Sequence, residues 1–189
     1  MSGAAPQPVL LLTGLPGVGK TTVIRRVAAA LSGAKIRGFV TEEIRENERR
    51  VGFRLESFDG SRTVLSHVRF GSRRRVGRYG VDIEALDAVV DRALRIDPDA
   101  GIYLIDEIGK MECLSERFVA AMRGLFESDR VIVATIARKG GGFIDEAKGG
   151  AGALLWEITA ANREGMPERV LAWIRSARPL GGDVQSLDT

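Results

Sequence analysis

Apolar and polar positions change period along the chain. "PVLLLTG" is a short apolar run closing on Gly14, the pattern of a buried strand. In "GKTTVIRRVAAALS" the apolar residues Val23, Ile24, Val27, Ala28 and Leu31 recur at helical spacing, with Arg25 and Arg26 opposite. The period then falls to two. "KIRGFVTEEIR" (35–45) and "RVGFRLESF" (50–58) read as strands, Asp59–Gly60 is a hairpin turn signal, and "SRTVLSHV" follows as a third strand. "DIEALDAVVDRALRI" (82–96) is an amphipathic helix with Asp82 placed to cap it, and Pro98 lies beyond its end. "GIYLI" is a buried strand, a helix starts at Ser115, and "RVIVAT" (130–135) is another apolar strand. "LLWEIT" and "MPERVLAWIRSA" supply a last strand and a closing helix with Pro167 near its first turn.

Strands alternate with helices at both ends, and a strand-rich insertion occupies 35–68. This order predicts a three-layer α/β fold with a mainly parallel sheet and an antiparallel insertion. The expected organisation is a loose lead-in at 1–7, a single domain at 8–178 and a flexible tail at 179–189. "RKGGGFIDEAKGGAGA" carries six glycines between 140 and 152, so it is expected to be mobile or closely approached.

A chain of 189 residues suffices for one sizeable core. No apolar stretch approaches the roughly 20 residues of a membrane span, and "MSGAAPQP" lacks the features of a signal peptide. The single cysteine, Cys113, excludes an intrachain disulfide and suits a reducing cytoplasm. The net charge is a mild +3, but "RFGSRRRVGR" (69–78) is half arginine. That run is either a solvated loop or a patch facing phosphates or nucleic acid. It lacks interleaved aromatics for base stacking, so a dedicated nucleic-acid module is not favoured.

The chemistry concentrates in two stretches. "GLPGVGKT" (14–21) matches G-x-x-x-x-G-K-[ST] between an apolar strand and a helix. Such a loop turns its backbone N–H groups inward around phosphate oxygens, and Gly14, Gly17 and Gly19 permit that conformation. Leu15, Pro16 and Val18 complete the loop. The helix N-terminus adds its positive dipole end. Lys20 is the candidate for the β- and γ-phosphates and Thr21 for Mg²⁺, while Thr22 can donate to the α-phosphate.

"YLIDEIGKME" (103–112) sets Asp106 and Glu107 side by side at the end of a buried run. Two acids there cost free energy unless a cation or reactive group is close. Asp106 occupies the usual place of the Mg²⁺ partner of a phosphate-binding loop, directly or through water. Glu107 is then free to position or deprotonate a water in line with the γ-phosphate. By analogy with loop proteins bearing this adjacent acid pair, "RVIVAT" is expected between the two site strands, with Thr135 facing the γ-phosphate.

With "GFVTEEIRENERRVGF", "VGRYGV" and "NREGMPERV", these stretches resemble the small P-loop nucleoside triphosphatases first described in thermophiles, whose animal member is called cancer-related nucleoside triphosphatase. The likeness runs from residue 14 to about 170. It implies a RecA-like fold and slow Mg²⁺-dependent hydrolysis of nucleoside 5′-triphosphates, ATP and GTP among them, to diphosphate and phosphate. It also implies nucleotide contacts at Gly14–Thr22, at Ile105, Asp106, Glu107, Ile108 and Gly109, and at Asn162 and Arg163. The chain departs from the family at Cys113, where an apolar residue is usual, and in the glycine and alanine content of 138–152.

Other residues stay open. Thr41, Glu43 and Arg45 share a strand face that either approaches the phosphates or meets solvent. His67 reads as structural, Trp156 and Trp173 as core or groove aromatics, and Tyr79 as ambiguous. The leading expectation is a cytoplasmic, monomeric, Mg²⁺-dependent triphosphatase. Its rivals are a nucleotide or small-molecule kinase, with the glycine-rich segment as a lid, and a nucleotide-dependent RNA-binding switch.

Overall fold

The computed structural model describes residues 8–150 and 152–177. The expected lead-in and tail lie outside the described residues. The elements run β1 (Val9–Gly14), α1 (Lys20–Ala30), β2 (Ile36–Glu46), β3 (Arg49–Ser57), β4 (Arg62–His67), β5 (Arg75–Val76) and β6 (Tyr79–Val81). They continue with α2 (Ile83–Ala93), β7 (Ile102–Ile108), α3 (Glu116–Phe126), β8 (Val131–Ile136), α4 (Phe143–Gly149), β9 (Ala153–Ile158) and α5 (Met166–Ala177).

All nine strands form one mixed sheet in the order β5-β6-β4-β3-β2-β7-β8-β1-β9. The neighbours from β2 through β7, β8 and β1 to β9 are parallel. From β2 outward to β5 every pairing is antiparallel. Strand β8, the "RVIVAT" run, lies between β1 and β7, where the analogy put it.

Strand alternation divides the core in two. Val9 and Leu11 of β1, Tyr103 and Ile105 of β7, and Ile132 and Ala134 of β8 join one cluster with residues of α2, α3 and α4. Leu10, Leu12, Leu104 and Val133 join the other, with α1 and α5. Each fully buried leucine or phenylalanine contributes about 1.5–3 kcal/mol relative to exposure. The central strands are apolar on both faces because helices cover both.

Helix ends follow their polar residues. The Asp82 carboxylate accepts from Ala85 N–H at 2.9 Å, and Ser115 Oγ accepts from Phe118 N–H at 2.9 Å. The Ser115 hydroxyl also donates to Asp87 at 2.5 Å, which ties α3 to α2.

Two segments carry more regular structure than their composition suggests. Part of the glycine-rich segment folds as α4, burying Phe143, Ile144 and Ala147, with Phe143 stacked on Phe126 at 6.0 Å between centroids. Three apolar positions on one helical face outweigh the flanking glycines once a core is there to receive them. The arginine-rich run, read as a loop or patch, also contributes the short strand β5, paired to β6.

Gly38, on β2 beside β7, has φ +112°, and a Cβ there would collide with the Leu104 carbonyl oxygen. Gly38→Ala is expected to cost about 3 kcal/mol or more, combining a forbidden backbone angle with overpacking. Urea unfolding of parent and variant measures the loss.

Candidate functional site

The ends of β1 and β7 carry the chemistry, one strand apart. After Gly14 the chain turns through 15–19 into α1. Gly17 has φ +75° and Gly19, which caps α1, has φ +111°. No side chain caps this helix, so the first N–H groups of α1 are without a side-chain partner. Lys20 folds back over the loop, donating to the Gly14 and Leu15 carbonyls at 3.3 and 3.4 Å. Leu15 is exposed at the loop tip.

Asp106 is 2% exposed. The backbone leaves the regular β7–β8 ladder here: pairing stops at Ile105 and resumes at Ile108 opposite Ile136. Thr135 donates to Asp106 Oδ1 at 2.6 Å, and the Thr41 N–H reaches Oδ2 at 3.5 Å. The Thr41 hydroxyl donates to the Asp106 carbonyl. Burial pushes the Asp106 carboxyl above the usual range. Hydrogen bonds from Thr135, Thr21 and the Thr41 N–H, with the charge of Lys20, pull it back. Glu107 is raised too, chiefly by burial and in part by Asp106, against the pull of Lys20.

Lys20, Thr21, Asp106 and Glu107, drawn from distant parts of the chain, are therefore electrostatically coupled. Thr135 meets Asp106 rather than open solvent. Thr41 turns to the acid pair, whereas Glu43 pairs with Arg45 at 2.6 Å and Arg50 at 2.7 Å. Of the two readings for that face, Thr41 belongs to the site and Glu43 and Arg45 to a surface ion pair. The side chains of Ile105 and Ile108 enter the core and do not line the site.

Asn162 braces a turn: its amide donates to the Glu157 carbonyl and its Oδ1 accepts from Thr159 N–H, both at 2.9 Å. Arg163 lies against the loop, its Cδ 3.9 Å from where a Gly19 Cβ would stand. His67 is structural, its Nδ1 accepting from Arg69 N–H at 3.1 Å. Trp156 lies under the Arg169 guanidinium, 4.1 Å from the ring centre.

One acid escaped the sequence reading. Glu112 is 5% exposed, in the turn after β7. A Cβ on Gly109 would stand 2.8 Å from Glu112 Oε2 and 3.6 Å from the Glu107 carboxyl carbon, so both carboxyls converge over this glycine. Burial, then Glu107 and Asp106, push Glu112 up to about 8, against backbone hydrogen bonds. The signal was available as a third acid in "DEIGKME", but sequence does not reveal that it turns inward. Cys113 is likewise pushed up, to about 12, by burial and Glu112, so it stays a thiol.

The donors at this site are hard oxygens: a hydroxyl from Thr21 and a buried carboxylate from Asp106. Among the described residues no three His, Cys, Asp or Glu side chains gather as a self-contained metal cage. This set fits a cation that takes few protein oxygens and keeps waters, as Mg²⁺ does.

A mixed sheet whose parallel strands β1 and β7, separated by β8, present a glycine-rich helix-opening loop and a largely buried acid pair defines a class of α/β protein. A family model described as NTPase matches residues 9–171, and the chain belongs to that family. It is 35% identical over 170 residues to the nucleoside-triphosphatase THEP1 of Thermotoga maritima, covering 89% of this chain and 97% of that one. The crystal structure of THEP1 from the hyperthermophile Aquifex aeolicus matches with a TM-score of 0.77 at 34% identity, covering 87% and 98% of the two chains. The solution structure of a human cancer-related nucleoside triphosphatase matches at 0.75 and 32% identity, covering 90% and 99%. The family inferred from the motifs is thus the one found.

A buried acid whose folded pKa is raised holds a proton that the unfolded chain gives up. Its contribution therefore declines as pH rises from the unfolded value near 4.5 to about 8. Glu112→Gln is expected to flatten the fall in stability across that window, leaving the part due to Asp106 and Glu107. Urea midpoints of parent and variant between pH 5 and pH 8 test this; equal slopes would mean the Glu112 carboxyl is not held neutral.

Proposed function

We propose that this chain is an Mg²⁺-dependent nucleoside-triphosphate phosphohydrolase, cleaving nucleoside triphosphate with water to diphosphate and phosphate. The observation that carries the reading is the placement of buried Asp106 beside Thr21 and Lys20, with half-buried Glu107 also facing Lys20, at the mouth of the glycine loop. Membership of the NTPase family and the names of the similar proteins support it. We read the fold as a three-layer RecA-like domain spanning 8–178, supported by a core on each sheet face and by β8 between β1 and β7.

In this reading the N–H groups of 14–22 surround the phosphates, and Lys20 leaves the Gly14 and Leu15 carbonyls to meet the β- and γ-oxygens. Thr21 and Asp106 would hold Mg²⁺, with Thr135 and Thr41 fixing the Asp106 carboxylate. When bound, the ion would offset negative charge on the phosphate oxygens. Glu107 orients the attacking water and accepts its proton; its raised pKa brings it nearer the working pH of a general base. Arg163 flanks the loop. The Asn162 amide braces the turn beside Arg163 through its bonds to the Glu157 carbonyl and the Thr159 N–H.

Water rather than a second substrate is favoured as acceptor. The segment considered as a kinase lid is in part α4, packed on the core by Phe143 and Ile144. No helix among the described residues is long and apolar enough to cross a membrane. A cytoplasmic monomer remains our reading.

Glu107→Gln should retain nucleotide binding and lose about 10²–10⁴-fold in turnover, the typical range for a general base. Parent-level phosphate release from that variant would remove Glu107 from the mechanism. Lys20→Ala should weaken triphosphate binding or turnover by at least tenfold, roughly 1.4 kcal/mol, seen in titration calorimetry and phosphate release. Chelation with EDTA should stop phosphate release from a nucleotide panel without any acceptor, and added Mg²⁺ should restore it.

A further inference from the structure

The antiparallel end of the sheet has a chemistry the triphosphatase reading leaves unused. Residues 43–50 and 69–79 hold eight arginines against three glutamates and no lysine, an excess larger than the +3 of the whole chain. The fold makes the two segments one surface. Arg69 pairs with Glu46 at 2.5 Å, Arg78 donates to the Arg50 carbonyl, and Arg50 donates to Tyr79 Oη at 3.1 Å.

The glutamates on this surface do not neutralise it. Glu43 is shared by Arg45 and Arg50, Glu46 is taken by Arg69, and Glu48, exposed and in no ion pair, offsets one charge among the remaining arginines. Among the described residues, Arg49, Arg73, Arg74, Arg75 and Arg78 have no carboxylate partner, and all five are exposed. Two are held in place without losing their charge. Arg75 donates to the Phe70 and Arg78 carbonyls at 3.1 and 2.6 Å, and Arg78 donates to the Arg50 carbonyl and to Tyr79 Oη. A guanidinium fixed by neutral carbonyls keeps its full charge and its remaining N–H donors for an incoming phosphate, with less conformational entropy left to lose.

The same surface limits the partner. The exposed large apolar residues of the described chain are Leu15, Val64, Ile96, Leu154 and Leu155, none in these segments. A membrane-inserting face or a protein hot spot needs such an anchor. The local aromatics Phe53, Phe70 and Tyr79 are buried or half-buried, so no platform exists for stacking bases. What remains is recognition of repeated phosphates by arginine forks.

We propose that this arginine surface binds the phosphate backbone of RNA, without reading its bases. It lies near the nucleotide site: β2 runs from Thr41, beside Asp106, to Arg45 four residues on, about 14 Å at the rise of a strand.

The test is fluorescence anisotropy of a labelled RNA duplex of about 20 base pairs, without nucleotide or Mg²⁺, between about 50 and 200 mM salt. Binding is expected, with a log–log salt slope of roughly −3 to −4.5. Arg73→Ala combined with Arg74→Ala removes two side chains with no partner in the fold. It should weaken binding about tenfold or more and reduce the slope by roughly 2, with phosphate release from ATP unchanged. Arg95→Ala with Arg175→Ala removes the same charge elsewhere and should leave binding unchanged. A DNA duplex and phosphatidylserine vesicles are the comparison arms; tighter binding to RNA than to either supports the assignment. Absence of RNA binding at low salt, equal or tighter binding to the DNA duplex, equal loss from both double variants, or binding to vesicles alone overturns it. Because Lys20→Ala should keep RNA binding, the result does not depend on the hydrolytic reading.

Discussion

A carboxylate buried at the end of a central strand is the constraint on which the rest of the molecule depends. Asp106 is almost wholly out of water, and burial pushes its carboxyl above the usual carboxylate range. Its surroundings oppose that. The neighbouring strands bring Thr135 and Thr41, and the first turn of α1 brings Thr21 and the charge of Lys20. Those groups come from both sides of β7 in the sheet and from the loop beyond β8. Gathering these groups around one acid therefore requires β2, β7, β8 and α1 to be in place together.

The strand order follows from the same requirement. With β8 between β1 and β7, the loop and the acid pair stand apart by one strand, and the intervening strand supplies a hydroxyl to the acid. Direct adjacency would leave no place for Thr135. The crowding of acids has a consequence for charge as well. Glu107 and Glu112 converge over Gly109, and Glu112 is pushed far up while Glu107 stays coupled to Lys20. Two nearby carboxyls in unequal surroundings titrate apart, so one can stay neutral while its neighbour carries the charge.

The antiparallel extension is built on different physics. Its stability comes from pairing across strands and from ion pairs such as Arg25 with Glu42 and Glu56, which link α1 to β2 and β3. Half-exposed pairs of this kind contribute little each and weaken with salt. Their larger effect is to consume acids. Glu43 and Glu46 are engaged, Glu48 stands without an ion pair, and the surplus arginines outnumber the acids facing solvent. One strand, β2, connects this surface to the acid pair.

Much was legible without coordinates. The fixed spacing of Gly14, Gly19, Lys20 and Thr21 identified the loop because few backbones can surround a phosphate. The period of apolar residues identified the principal helices and strands because burial enforces it. Asp82 and Ser115 marked helix starts because an unpaired N–H needs a nearby acceptor. Tertiary structure decided the remainder, for reasons local pattern does not contain. Helix α4 exists because a core was waiting for Phe143 and Ile144. Glu112 turns inward because Gly109 leaves it room. Thr41 joins the site through its bonds to Asp106, while Glu43, on the same strand, joins the surface through Arg45 and Arg50. Spacing along the chain specifies which groups are available; only packing specifies which of them share a dielectric, and hence which carry charge.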